Sequence, residues 1–213
     1  DDPHIYFTNK SDTAEALAAT YAKDKVPSLA YAVGMGAIVY EPGWVFGSQA
    51  PYAETGGAFI DWIVANWKET RAPRIAFLTW DNASGRGCIT DEVYAYCEHK
   101  GVEVVGTWFY PVMPIDVTAT LSAIKDCDPD FVQGQSSTEA YPVILKDAMR
   151  LGMTPPGGGR VIFASCNHVM MWPLMEVAGE AANSCVITCL YALPFETDIP
   201  AVKLAAENAK KYH

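Results

Sequence analysis

The feature that most constrains the fold is the regular alternation between residues 74 and 191. Five short apolar runs read as strands: Arg74–Trp80, Val102–Phe109, Asp130–Gln133, Arg160–Ala164 and Cys185–Leu190. Helical patterns separate them over 88–100, 116–125, Glu139–Leu151 and 170–179, and Gly101 and Gly152 stand as stop signals. No hairpin signal joins any two of the strands. Parallel strands need crossovers of this length, and right-handed crossovers wind helices onto both faces of one sheet. A doubly wound α/β sheet of five parallel strands is therefore expected.

The flanks are thinner. Ile5–Thr8 and Ser28–Val33 read as strands around a helix at Glu15–Lys23, with Ser11, Asp12 and Thr13 as capping residues and Pro27 as the break. Gly34–Gly43 reads as a loop. Phe59, Ile60, Ile63, Val64 and Trp67 mark one face of a helix over roughly 52–69. Pro194–Pro200 reads as a linker before an amphipathic helix at Ala201–Lys211. The division expected is a partial first unit at 1–72, a second α/β unit at 73–191 and a return segment at 192–213.

Half the residues are hydrophobic and 19% are charged, enough for a sizeable core and unlike a disordered chain. The net charge of −10 repels phosphate backbones, which argues against a nucleic-acid partner. No apolar run approaches the ~20 residues of a membrane span. No basic-then-apolar leader opens the chain, so a soluble protein, or a mature or trimmed form of something longer, is expected.

The six cysteines form no CxxC pair, and the four histidines are far apart in sequence. Zinc-ligand spacing is missing, so no metal and no cofactor are expected. Six cysteines allow 15 pairings. Free buried thiols are expected, with Cys166 and Cys189 as the pair on neighbouring strands if a bridge exists. Cys88 and Cys97, with ~13 Å of helical rise between them, are too far apart to bond.

Ligands of open parallel sheets sit beyond the C-terminal strand ends, near helix N-termini. Five polar segments fall there: Asn9–Thr13, Tyr31–Gly36, Trp80–Gly87, Gln135–Glu139 and Ser165–Val169. Such residues also serve as ordinary helix caps. Tyr31, Trp80, Tyr141 and Trp172 lie near the same ends, where they either wall an apolar ligand or pack in the core. GxSxG, GxxxxGK[ST], HExxH and a GxGxxG after the first strand are absent. A triad of Ser84, His168 and Asp81 has no support in spacing. Gly157–Gly159 precedes a strand, the wrong side for a dinucleotide site.

At RIAFLTWDNASGRG, followed by a helix and GVEVVGTWFYP, the chain resembles the type I periplasmic binding proteins of the branched-chain amino-acid ABC-transporter class. That pattern is strand, D-x-x-[YFS]-G-x-G turn, helix and G-x-x-V-V. DVTATLSAIKDCDPDFV, ILKDAMRLGM, PLMEVAGEAANSCVIT and the early SDTAEALAATYAKDKVPSLA are similar to further family segments in the same order, over roughly residues 5–195. The resemblance implies two α/β lobes joined by hinge strands and closing on a ligand. It also implies that the first lobe is incomplete here, with a sparse sheet, and the second nearly whole.

Carried over by position, the resemblance places the carboxylate-binding serine at Ser11 and a backbone-and-hydroxyl segment at Ala32–Gly34, where Gly34 replaces the usual Ser or Thr. The turn aromatic matches Ser84, and the second-lobe tyrosine falls at Ser137 or Thr138. The ammonium-binding acid falls at Asn167, beside His168. A buried ammonium without a carboxylate is costly. Glu139 is a substitute acid, though its position at a helix start suits the macrodipole equally well. A neutral or anionic small molecule is at least as good a ligand as a branched-chain amino acid, with Trp80 or Tyr31 giving apolar contact. The implied role is an extracytoplasmic, periplasmic solute-binding protein without bond chemistry, partnered by a small molecule and by ABC-transporter membrane subunits. A ligand-sensing domain of the same fold is the alternative, ahead of a doubly wound enzyme.

Overall fold

The structure is a computed structural model that describes residues 4–31, 34, 43–165, 171–193 and 196–212. Its larger sheet contains β4 (Arg74–Trp80), β5 (Glu103–Tyr110), β6 (Phe131–Gly134), β7 (Ile162–Ser165) and β8 (Cys185–Ile187), in spatial order β5-β4-β6-β7-β8. All four pairings are parallel, as the alternation predicts. The chain first steps from β4 to β5 and then returns past β4 to β6. Successive right-handed crossovers in opposite directions place their helices on opposite faces.

The core follows that winding. One face packs Ile75 and Phe77 of β4 and Phe131 of β6 against helix α2 (Tyr52–Asn66) through Phe59, Ile60 and Ile63. Helix α4 (Asp91–Lys100) completes it with Val93 and Cys97. The other face packs Leu78, Trp80 and Val132 against α5 (Thr118–Asp126), α6 (Tyr141–Arg150) and α7 (Met171–Ala178). Helix α2 thus buries its stripe on the larger sheet, although it lies within the 1–72 span expected for the first unit. Its buried positions 52, 55, 56, 59, 60 and 63 make the helical stripe. Val64, expected on that face, is 42% exposed because it lies one 100° step beyond Ile63.

Several boundaries differ from the sequence pattern. The polar turn after β4 contains a one-turn helix, α3 (Ala83–Arg86), because the Asn82 side chain accepts a hydrogen bond from the Gly85 amide at 2.8 Å. Helix α4 begins at Asp91, so Cys88 and Ile89 belong to the preceding turn. Strand β8 stops at Ile187. The last helix, α8 (Pro200–Tyr212), matches its expected span closely.

At the N-terminal end of the larger sheet, the 4%-exposed Asp130 carboxylate accepts two hydrogen bonds from Arg71, at 2.6 and 2.7 Å. It also accepts one from the Arg74 amide at 2.9 Å. Burial pushes this carboxyl's pKa up. The Arg71 and Arg74 hydrogen bonds and the nearby Arg71 and Arg160 charges outweigh that, holding it below the ordinary aspartate value.

The smaller sheet is parallel, with β1 (Tyr6–Thr8), β2 (Ser28–Ala30) and β3 (Val45–Gly47) in sequence order. Strand β3 had no counterpart among the strands named from sequence. Helix α1 (Ser11–Asp24) covers one face with Ala14 and Tyr21, and Tyr6 lies 5.1 Å from the Tyr21 ring. On the opposite face Phe7, Leu29 and Phe46 align in register. Phe7 is 69% and Phe46 54% exposed. This is the sparse sheet with an apolar face that the resemblance implies. Apolar faces and unpaired edges favour association. The 213-residue chain should therefore sediment with a concentration-dependent coefficient, and joint replacement Phe7→Ser and Phe46→Ser should reduce that dependence with little loss of stability. Unchanged sedimentation in the double variant would remove this face as its cause.

Candidate functional site

The order of the larger sheet places a topological switch point between β4 and β6, whose C-terminal ends are Trp80 and Gly134. Ligands of doubly wound sheets sit at such a point. Thr79 ties the two ends together. Its hydroxyl accepts from the Gln135 amide at 3.1 Å and lies 3.2 Å from the Gly85 carbonyl, to which it donates. Beyond it the turn folds tightly back on its own strand. A Cβ on Gly85 would lie 2.0 Å from the Trp80 carbonyl oxygen. Asp81 pairs with Arg86, whose guanidinium stands 4.6 Å from the Phe109 ring centroid. That pairing leaves Asp81 as a structural partner in the turn.

The polar groups behind this edge are deeply buried. Gln133, Gln135, Ser136 and Ser165 are each 3% exposed or less. The Tyr110 hydroxyl donates to the Gln135 carbonyl at 3.1 Å. Burial drives the Tyr110 phenol well above its usual pKa, so it stays neutral. Gly56 of α2 makes room for Gln133, because a Cβ there would lie 3.2 Å from the Gln133 amide nitrogen. Among the described residues, Trp80 Nε1, Gln133 Oε1 and Ser165 Oγ are buried without a hydrogen-bond partner. Such a group costs about 1–3 kcal/mol until it is paired.

The first unit meets this edge at α3. Helix α1 packs against α3, and Gly34 lies against the backbone of Ala83 and Ser84. Ser11, the first residue of α1, is 2% exposed, and its hydroxyl has no partner among the described residues. Tyr31 is 45% exposed, and its carbonyl accepts from the Ser48 hydroxyl at 3.1 Å. Tyr191, in the segment after β8, has a raised pKa, chiefly from burial and further from Cys189 and Tyr31.

The residues singled out in the sequence fall into distinct groups. Gly34 and Ser84 come together where α1 packs against α3, and Ser11 is the first residue of α1. Trp80 ends β4 beside the junction but is nine-tenths buried in the core with Leu78, Tyr110 and Val117. The Ser137 hydroxyl accepts from the Ala140 amide at 3.2 Å within the turn that precedes α6, and Thr138 beside it is partly exposed. Ala32, Asn167 and His168 lie outside the described residues, as does Cys166 of the expected cysteine pair. Cys88, Cys97, Cys127, Cys185 and Cys189 are free thiols. Burial pushes Cys97 up to about 11 and Cys185 up to about 12, which keeps both protonated and unreactive.

Thr79, Tyr110 and Gln133 were not singled out from sequence. The available signal was the run Phe131-Val132-Gln133-Gly134, since a glutamine is foreign to a central strand with both faces covered. Among the described residues no group of three His, Cys, Asp or Glu side chains is placed to hold a metal ion, and no helix is long and apolar enough to cross a membrane. A cavity of about 130 Å³ bordered by Lys125, Asp128, Met153 and Arg160 opens at the opposite, N-terminal end of the sheet. Its charges are already engaged: Lys125 donates to the Leu151 carbonyl at 2.6 Å, and Arg160 pairs with Asp128 at 2.9 Å.

A sequence profile described as periplasmic binding protein matches residues 5–213. No curated relative matches the chain. Among solved structures, it is similar to a branched-chain amino acid ABC transporter protein from Thermus thermophilus with bound valine. That match has a TM-score of 0.81 and 19% identity, covering 98% of this chain and 52% of the other. A fatty acid ABC transporter substrate-binding protein from Thermomonospora curvata gives 0.78 at 16% identity, covering 98% and 51%. A solute-binding protein from Rhodopseudomonas palustris HaA2 in complex with p-hydroxybenzoic acid gives 0.69 at 16%, covering 84% and 47%. The chain thus spans about half the length of these structures, and the likeness extends to the fold.

Proposed function

Because the chain belongs to the periplasmic binding protein family, we propose that it captures a small organic solute between its two units and presents it to the membrane subunits of an ABC importer. The observation that carries this reading is the position of the buried, partnerless polar groups. Among the described residues, Ser11 Oγ opens α1 in the first unit, and Trp80 Nε1 and Ser165 Oγ end strands of the larger sheet, all buried without a partner. A solute bridging both units would satisfy these groups only when the units are together, and that difference in interaction is what drives closure. In this reading the protein carries out no bond chemistry, and it works outside the cytoplasm, where such importers collect their cargo. The solute is neutral or anionic, since Asn167 stands where the family pattern has the ammonium-binding acid.

Calorimetric titration of the full chain with L-valine, 4-hydroxybenzoate and octanoate tests the reading. A carboxylate lacking an ammonium group should bind more tightly than L-valine. Ser11→Ala should weaken that binding ~10–150-fold, the equivalent of ~1.5–3 kcal/mol for a hydrogen bond to a charged group. Equal affinity in Ser11→Ala and wild type would remove Ser11 from the site. Preference for L-valine would overturn the assigned ligand charge.

A further inference from the structure

The turn after β4 carries two glycines, Gly85 and Gly87, and their surroundings differ. Gly85 is excluded from bearing a side chain by its own unit, where a Cβ would strike the Trp80 carbonyl. A Cβ on Gly87 would lie 2.1 Å from the Gly34 carbonyl oxygen and 2.5 Å from the Gly34 Cα, both in the other unit. A Cβ on Gly34 would in turn lie 2.8 Å from the Ala83 carbonyl oxygen. Gly87 has φ −68° and ψ −12°, right-handed helical values that any L-residue adopts. Its backbone conformation therefore gives no reason for glycine, and the nearest atoms that exclude a methyl group belong to Gly34.

We infer that Gly34 and Gly87 form a backbone-to-backbone seat that positions the two units in the closed arrangement. One added methyl at Gly87 would hold them apart without disturbing either unit. The inference rests on the solute-capture reading for its purpose, because apparent affinity falls with the fraction of molecules in the closed state. The contact itself can be tested without any solute. Alanine at a right-handed helical position is favoured over glycine by up to about 1 kcal/mol. Gly87→Ala should accordingly part the units while leaving thermal stability unchanged or raised, the opposite sign from a packing defect.

The test uses the full chain with nitroxides attached through p-acetylphenylalanine at Lys23 of α1 and Glu98 of α4, both exposed positions. Pulsed electron resonance gives the distance between the units, and calorimetry gives the melting temperature. Gly87→Ala should lengthen and broaden the solute-free distance with no fall in melting temperature. Gly85→Ala should lower the melting temperature. A Gly87→Ala distance distribution superposable on wild type overturns the inference, as does a loss of melting temperature equal to that of Gly85→Ala. Failure of every solute to bind the wild type would sink the functional reading and leave these distances unaffected, so the two failures are distinguishable.

Discussion

Replacing Asp130 with alanine is expected to destabilise the larger unit by about 3 kcal/mol, measured as a shift of the urea unfolding midpoint at pH 7. Asp130 is 4% exposed and anchors the segment before β4 to the start of β6 through the Arg71 fork and the Arg74 amide. Breaking a buried pair costs about 3–5 kcal/mol. The lower end applies because Arg71 is 37% exposed and regains water. The folded-state pKa of Asp130 is depressed. The ionised carboxylate therefore stabilises the fold fully above its unfolded value of about 3.9, and this contribution fades as the pH falls through the lower folded value. The gap between wild type and Asp130→Asn should be widest near pH 7 and shrink below about pH 4. A gap of constant size down to pH 2 would show that the charge is not its source.

Phe59→Ala is the other large effect, expected at about 3–5 kcal/mol, the usual cost of emptying a buried phenylalanine site. Phe59 is 2% exposed, stacks 5.6 Å from the Trp62 ring and meets Phe131 of β6 edge-on at 5.9 Å. It fastens α2 to the larger sheet. Gly56, which accommodates Gln133 behind the switch point, sits on the same helix. Val64→Ala supplies the comparison, because the same helix exposes 42% of Val64 and surface changes of this kind usually fall within about 0.5 kcal/mol. Similar urea midpoints for the two variants would mean that α2 does not dock through the Phe59 face.

The sequence by itself determined the strand–helix alternation of the larger sheet, though not that α2 packs on it. Each strand from β4 to β7 is a short apolar run bounded by a turn or a helix stop, and parallel pairing follows from the helical connections between them. Strand β3 escaped because Val45-Phe46-Gly47 is three residues long and itself ends in glycine, too short for periodicity to register. The candidate site was legible as a set of strand ends, since chain direction in a parallel sheet fixes which end of every strand lies at the ligand edge. What each side chain does there was not legible. Ser137 and Ser11 are both serines that follow a strand and lead into a helix, yet the Ser137 hydroxyl is engaged by the Ala140 amide while that of Ser11 is buried without a partner among the described residues. Gly85 and Gly87 stand two residues apart in one turn, yet one is hemmed in by its own strand and the other by the opposite unit. Local pattern encodes the period and the ends of elements, because those depend on neighbours a few positions away. Which groups find partners, and which backbones touch, depends on residues such as Gly34 and Gly87 that are distant in sequence and adjacent only after the two units come together.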